Sequence, residues 1–146
     1  MSTTSVNLRR ILPADVARVF EAWSSAKAMS RWFVVDPGWT ARATNDFRVG
    51  GKHRVEMDRG DGTIFVAFGE YLEIDPPRRL VFTWNSALPA VRNSVVTIEL
   101  KPVGTMTELT LTHELLPDTD EGRAHGIGWE GSLVNLERYL TGTRAT

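Results

Sequence analysis

Between residues 52 and 58 apolar and polar side chains alternate strictly. His53, Val55 and Met57 share one side, and Lys52, Arg54, Glu56 and Asp58 the other. A repeat of two marks a strand with one buried and one wet face. The same period returns over 95–100, where Val96, Ile98 and Leu100 share a face. It returns again over 107–113, where Leu109, Leu111 and His113 oppose Thr110 and Thr112. Residues 63–74 predict a longer strand after a hairpin turn at Asp61-Gly62, and Gly69 within it marks a bulge or bend. Pro76 and Pro77 have fixed φ and no N–H, so residues 69–84 form two strands about a stiff turn. A first strand is predicted over 6–11, ended by Pro13.

Elsewhere the period lengthens. Val16, Val19, Phe20 and Trp23 stand at i, i+3, i+4 and i+7, one face of a short helix. Ser24-Ser25 interrupts it and can cap a second short helix running through Met29 to Trp32. Near the C-terminus Trp129, Leu133, Leu136 and Leu140 form a single apolar stripe, stopped by Gly142 and a polar tail. Asp118, with Glu121 three residues on, fits a capping box for that helix.

The order is strand, two short helices, many strands, long helix. This is an α+β chain whose antiparallel sheet must cover its apolar face. Only the C-terminal helix is long enough to do so, with the two short helices closing one end. Such a curved sheet leaves room for an internal apolar cavity lined by large inward side chains.

Composition narrows the function classes. At 146 residues the chain is the size of one domain, 1–146. A domain of ~150 residues buries roughly 70% of its unfolded surface, enough for a core without staples. Cysteine is absent, so disulfides, thiolate metal sites and cysteine nucleophiles are excluded together. Seventeen basic against eighteen acidic residues leave a net charge of −1, with no drive toward nucleic acid or acidic membranes. The longest apolar run, residues 64–68, is too short for membrane insertion. The N-terminus has no apolar signal region, and the chain reads as soluble and cytoplasmic.

Few motifs carry chemistry. Gly126-Ile-Gly128-Trp-Glu-Gly131 matches G-x-G-x-x-G, but a helix start precedes it instead of a strand. The dinucleotide reading is therefore rejected, and the glycines read as a thin helix that sheet or ligand can approach closely. His53 and His113 lie on inward faces, either as polar anchors or an acid–base pair of a cavity, or as core histidines bonded to a carbonyl or hydroxyl. His125 is expected to be partly exposed. The three histidines have no metal-ligand spacing, so neither metal nor cofactor is expected. Five tryptophans are many for this length, and Trp32 and Trp84 are placed to look into a cavity mouth. Asp46 and Arg48 read as an ion pair at the bend before Gly50-Gly51.

Several phrases together resemble a known family. They are Asp46-x-Arg-Val-Gly-Gly51, the 69–84 segment, Gly128-Trp129 followed by the Leu stripe, and Ile11-Leu-Pro-Ala14 through Val19-Phe20-x-Ala-Trp23. They look like the Aha-type family, homologues of the activator of the heat-shock chaperone ATPase, within the START-related, birch-pollen-allergen-like (SRPBCC) superfamily. The resemblance covers about residues 6–141. It implies a helix-grip fold with a deep apolar cavity, in a superfamily that binds lipids, hormones or polyketides and sometimes catalyses cyclisation. The chaperone activator has an additional N-terminal domain for which this chain has no room, so direct ATPase stimulation is not expected. The resemblance supplies no catalytic motif.

Three functions follow as expectations. The first is binding of an apolar or aromatic small molecule, lipid- or polyketide-like, in a cavity lined by Trp32, His53, Val55, Met57, Phe68, Trp84, His113 and Trp129. The second is a cyclase- or hydrolase-type enzyme with His53 or His113 as general base. The third is a co-chaperone-like module that binds protein through an outer apolar patch, against which the polar outward strand positions argue. A homodimer is left open.

Overall fold

The computed structural model describes residues 3–87 and 90–142. One antiparallel sheet of seven strands has the order β1-β7-β6-β5-β4-β3-β2. β1 spans Thr3–Leu12, β2 Thr40–Asn45, β3 Lys52–Asp58 and β4 Ile64–Asp75. β5 spans Arg79–Ala87, β6 Ala90–Val103 and β7 Met106–Pro117. Helices α1 (Val16–Ser24) and α2 (Ala26–Trp32) follow β1, and α3 (Asp120–Thr141) closes the order. This is the helix-grip fold that the family resemblance implies, in the strand, two short helices, strands, long helix order that the periodicities predict.

The helix ends follow from local chemistry. Asp15 caps α1 by accepting from the Arg18 N–H at 2.9 Å. Ser25 ends α1 and at once begins α2, its hydroxyl accepting from the Ala28 N–H at 3.2 Å. α3 differs by one residue from the capping box expected of Asp118. Thr119 is the cap, accepting from Gly122 N–H at 3.1 Å, while Asp118 pairs with Arg123 at 2.6 Å. Gly142 ends α3 in the left-handed region, at φ 74°, where a residue without Cβ is favoured. The polar tail after it lies outside the described residues.

The alternating strands bury the faces read from sequence. Val55, Met57, Val96, Ile98, Leu100, Leu109 and Leu111 all lie in the core, against Trp129, Leu133, Leu136 and Leu140 of α3. Fully burying a large apolar side chain is worth about 1.5–3 kcal/mol, so this layer dominates stability. On the outer face facing strands carry opposite charges, as in Lys52 with Glu70 at 2.9 Å and Arg79 with Glu99 at 2.7 Å. Asp46 and Arg48 pair at 2.7 Å before Gly50-Gly51, as the bend predicted.

β2 has no counterpart among the predicted elements. Its sequence, Thr-Ala-Arg-Ala-Thr-Asn, buries only Ala43, so it has no apolar alternation to read. Side chains hold it in place instead. Ser30 Oγ accepts from Ala43 N–H at 2.9 Å, and Asn45 Nδ2 donates to Ser24 O at 2.8 Å and Tyr71 Oη at 3.1 Å.

Gly69 marks an irregularity. The β4–β5 pairs pass from Phe68↔Asn85 to Tyr71↔Phe82, and a register shift follows between Tyr71 and Glu73. A Cβ on Gly69 would lie 2.0 Å from the Thr83 carbonyl oxygen, so no other residue fits there. Thr83 instead accepts side-chain-mediated bonds. Its hydroxyl takes the Glu70 N–H at 2.9 Å, and its carbonyl takes His53 Nε2–H at 2.9 Å.

Candidate functional site

α3 packs on β1, β7 and the two short helices. Where β3, β4 and β5 face its N-terminal half, a pocket of about 520 Å³ opens. β3 contributes Met57, β4 Phe65, and β5 Trp84 and Ser86. The segment between α2 and β2 adds Phe33, Val35, Asp36 and Trp39. α3 adds Glu121, Ala124, His125, Ile127, Gly128, Trp129 and Ser132. The walls are mainly aromatic. Trp39 stacks on Phe65 at 5.4 Å, Phe33 on Trp84 at 6.0 Å, and Trp129 tilts against Trp84 at 5.1 Å.

Two contacts hold the 33–39 segment against α3. Asn135 Nδ2 donates to Val34 O at 2.8 Å. One turn earlier, a Cβ on Gly131 would lie 2.1 Å from Val35 O, so the helix and segment meet backbone to backbone. Of the three glycines read as making the helix thin, Gly131 serves this close approach and Gly128 lies tight against a Val35 methyl, whereas Gly126 has room for a Cβ. Among the described residues no group of three or more His, Asp or Glu is arranged to hold a metal ion. No helix there is long and apolar enough to cross a membrane.

The three histidines differ in what their nitrogens can do. His113 is fully buried. Trp129 Nε1–H donates to its Nδ1 at 2.9 Å, and an indole N–H can only donate. The imidazole proton therefore sits on Nε2, which lies 2.8 Å from Ser94 Oγ. The Ser94 hydroxyl in turn donates to Trp84 O at 2.7 Å. Burial, with a smaller contribution from His125, lowers the His113 pKa to about 3. With both nitrogens engaged, this imidazole has no lone pair to offer a substrate. His53 is buried between Tyr71 and Phe82, and burial lowers its pKa to about 4 against the opposing bond to Thr83.

His125 is the histidine that lines the large pocket. Its Nδ1 lies 3.0 Å from the Glu121 carbonyl oxygen, one helical turn back. Burial pushes its pKa down, while the Glu121 and Gly122 carbonyls act in the opposite sense. Nothing in its sequence neighbourhood distinguishes it. The available signal is its place on the pocket-facing side of the glycine-rich start of α3, one turn before Trp129.

Of the residues predicted to line a cavity, the structure brings Met57, Trp84 and Trp129 to the large pocket. His53 and Val55, with Trp84, Phe33 and Trp23, surround an adjoining space of only about 10 Å³. Such a space holds about one water molecule. Trp32 borders neither. It is fully buried, packs on Trp23 and Phe33, and donates its indole N–H to Ala22 O at 2.9 Å. Nor does Trp84 end a strand, since β5 continues to Ala87. Phe68 is on the opposite side of the sheet, 43% exposed, because Ala67, Gly69 and Tyr71 take the inner positions of β4. His113 lies behind Trp84 and Trp129, outside the lining. Among the described residues, the buried indole N–H groups of Trp23 and Trp84 have no hydrogen-bond partner.

Comparison with known proteins agrees with this architecture. A search of curated proteins finds no match. Among solved structures, protein CV1439 of Chromobacterium violaceum superposes with a TM-score of 0.81 at 27% identity, covering 92% of this chain and 95% of that one. A Rhizobium leguminosarum protein gives 0.81 at 27% identity, with 97% and 96% covered. Mll3558 of Rhizobium loti gives 0.77 at 28% identity, with 94% and 97% covered. The family described as "Activator of Hsp90 ATPase homolog 1-like protein" matches residues 13–141. That match spans α1 through α3 and all strands but β1, so the chain belongs to this Aha-type family within the SRPBCC superfamily.

Proposed function

We propose that this protein binds an apolar or aromatic small molecule in the pocket between α3 and strands β3 to β5. The observation that carries the reading is the lining. Five aromatic side chains, Phe33, Trp39, Phe65, Trp84 and Trp129, converge with Val35, Met57 and Ile127 on one space of about 520 Å³. Ligand pockets have roughly 300–1,000 Å³, mostly apolar walls and a few placed polar groups. Here the polar groups are Asp36, Ser86, Glu121, His125 and Ser132. Apolar burial supplies affinity at roughly 25 cal/mol per Å², less the costs of association.

The test is thermal denaturation of the full chain against a library of lipids and aromatic metabolites. A compound that binds only the folded form stabilises it by about 2.7 kcal/mol at one hundred times its Kd. The expected result is a concentration-dependent rise in Tm with a polycyclic or lipid-like class. No rise with any apolar compound, at concentrations up to solubility, refutes the reading.

A further inference from the structure

We propose that His125 selects, within the pocket, ligands that carry a hydroxyl group on an aromatic or polycyclic skeleton. This rests on the small-molecule reading above and adds a chemical class to it. The argument starts from the ring proton. The Glu121 carbonyl accepts from His125 Nδ1 at 3.0 Å, and the neighbouring Gly122 carbonyl also favours a proton on the ring. In a neutral imidazole a proton on Nδ1 leaves Nε2 as a bare acceptor. Among the described residues none donates to it.

The surroundings favour this neutral form. The ring lies edge-on to His113 at 5.4 Å and to Trp84 at 6.4 Å, partly buried against the pocket wall. A positive charge on the His125 ring is opposed by desolvation. The pocket's other ionisable groups, Asp36 and Glu121, are acidic, and among the described residues no lysine or arginine lines it. An anionic ligand would therefore lose its hydration without gaining a cationic partner. A neutral hydroxyl gains a buried acceptor while its skeleton covers Trp84 and Trp129. His113, one of the two histidines expected from sequence to face a cavity, has no such capacity because both its nitrogens are engaged.

The experiment uses three matched probes on the full chain: 2-naphthol, 2-methoxynaphthalene and 2-naphthoate. Binding is followed by amide shifts in ¹⁵N-labelled protein, and the His125 Nε2 resonance by long-range ¹H–¹⁵N correlation. One net hydrogen bond predicts that 2-naphthol binds about 2- to 10-fold more tightly than its methyl ether, with 2-naphthoate weakest. The Nε2 signal should move upfield with 2-naphthol alone. In His125→Phe the ratio of the first two Kd values should fall to about one. If both neutral probes bind equally and Nε2 does not move, the selection by His125 is wrong while the pocket reading stands. If neither perturbs amides near Met57, Phe65 and Trp84, this proposal and the pocket reading fail together for naphthalenes. Should the variant not fold, the wild-type Nε2 shift alone decides.

Discussion

Trp129 on α3 donates its indole N–H to Nδ1 of His113 on β7, 2.9 Å away, so the helix is tied to the sheet by a polar bond inside the apolar layer. Replacing Trp129 with Phe leaves that nitrogen buried without its donor, which costs about 1–3 kcal/mol besides any lost packing. Removing both partners, as Trp129→Phe with His113→Leu, should recover part of this, because Ser94 still donates to Trp84 O. Urea denaturation of the single and double variants measures the coupling.

Acid should destabilise the fold well before carboxylates titrate. His53 and His113 have folded pKa values near 4 and 3, against 6.5 for an ordinary histidine. Their depressed values mean that the unfolded chain takes up protons first. The stability they supply is complete above pH 6.5 and is lost as pH falls toward 4 and 3. At pH 5, about 1.5 units below the unfolded value, each has lost about 2 kcal/mol. Urea midpoints at pH 7.5 and 5 measure the slope, and His113→Leu should flatten it, with His53 and His125 supplying what remains.

The glycines of α3 should respond in opposite directions. A Cβ on Gly126 meets only Val6 methyl groups, at 3.7 and 3.8 Å, which is ordinary contact. Gly126→Ala should therefore stabilise by about 0.5–1 kcal/mol through helix propensity. Gly131→Ala collides with the Val35 carbonyl oxygen and must push the 33–39 segment off the helix. Thermal melts should show a rise in Tm for the first and a fall of several degrees for the second.

Blocking the pocket should separate binding from folding. Ala124 lines it from an exposed helical position. Ala124→Trp keeps a helix-compatible residue there and fills part of the space. The expected result is a loss of at least about tenfold in affinity for 2-naphthol with Tm changed by little, since surface changes usually lie within about 0.5 kcal/mol. Titration and melting of the same sample give both numbers.

Much of the fold was legible because periodicity reports faces. The stripe Trp129, Leu133, Leu136 and Leu140 and the alternation His53, Val55, Met57 are buried as read. Phe68 was misplaced because residues 64–68 are continuously apolar and carry no period; only the inward Gly69, set by the Thr83 contact, shows which parity faces in. The site was less legible than the fold. Val35, Asp36 and Trp39 lie between α2 and β2, where no period exists, and Asn135 and Gly131 hold that stretch in place over a long sequence separation. Which histidine keeps a free nitrogen depends on partners from other elements. Ser94 and Trp129 engage His113, whereas His125 spends only Nδ1 on its own helix.

The chain of bonds from Trp129 through His113 and Ser94 to the Trp84 carbonyl crosses from α3 over β7 and β6 to β5. Apolar residues alone would tolerate many pairings of these strands, since Val, Ile and Leu are interchangeable to one another's methyl groups. A slip of β6 by one residue would turn Ser94 outward, and a slip by two would put Val96 or Arg92 in its place, neither of which can accept the His113 proton. The thread therefore works as a combination lock on strand alignment: every wrong setting strands at least one buried polar group, and a single setting satisfies them all.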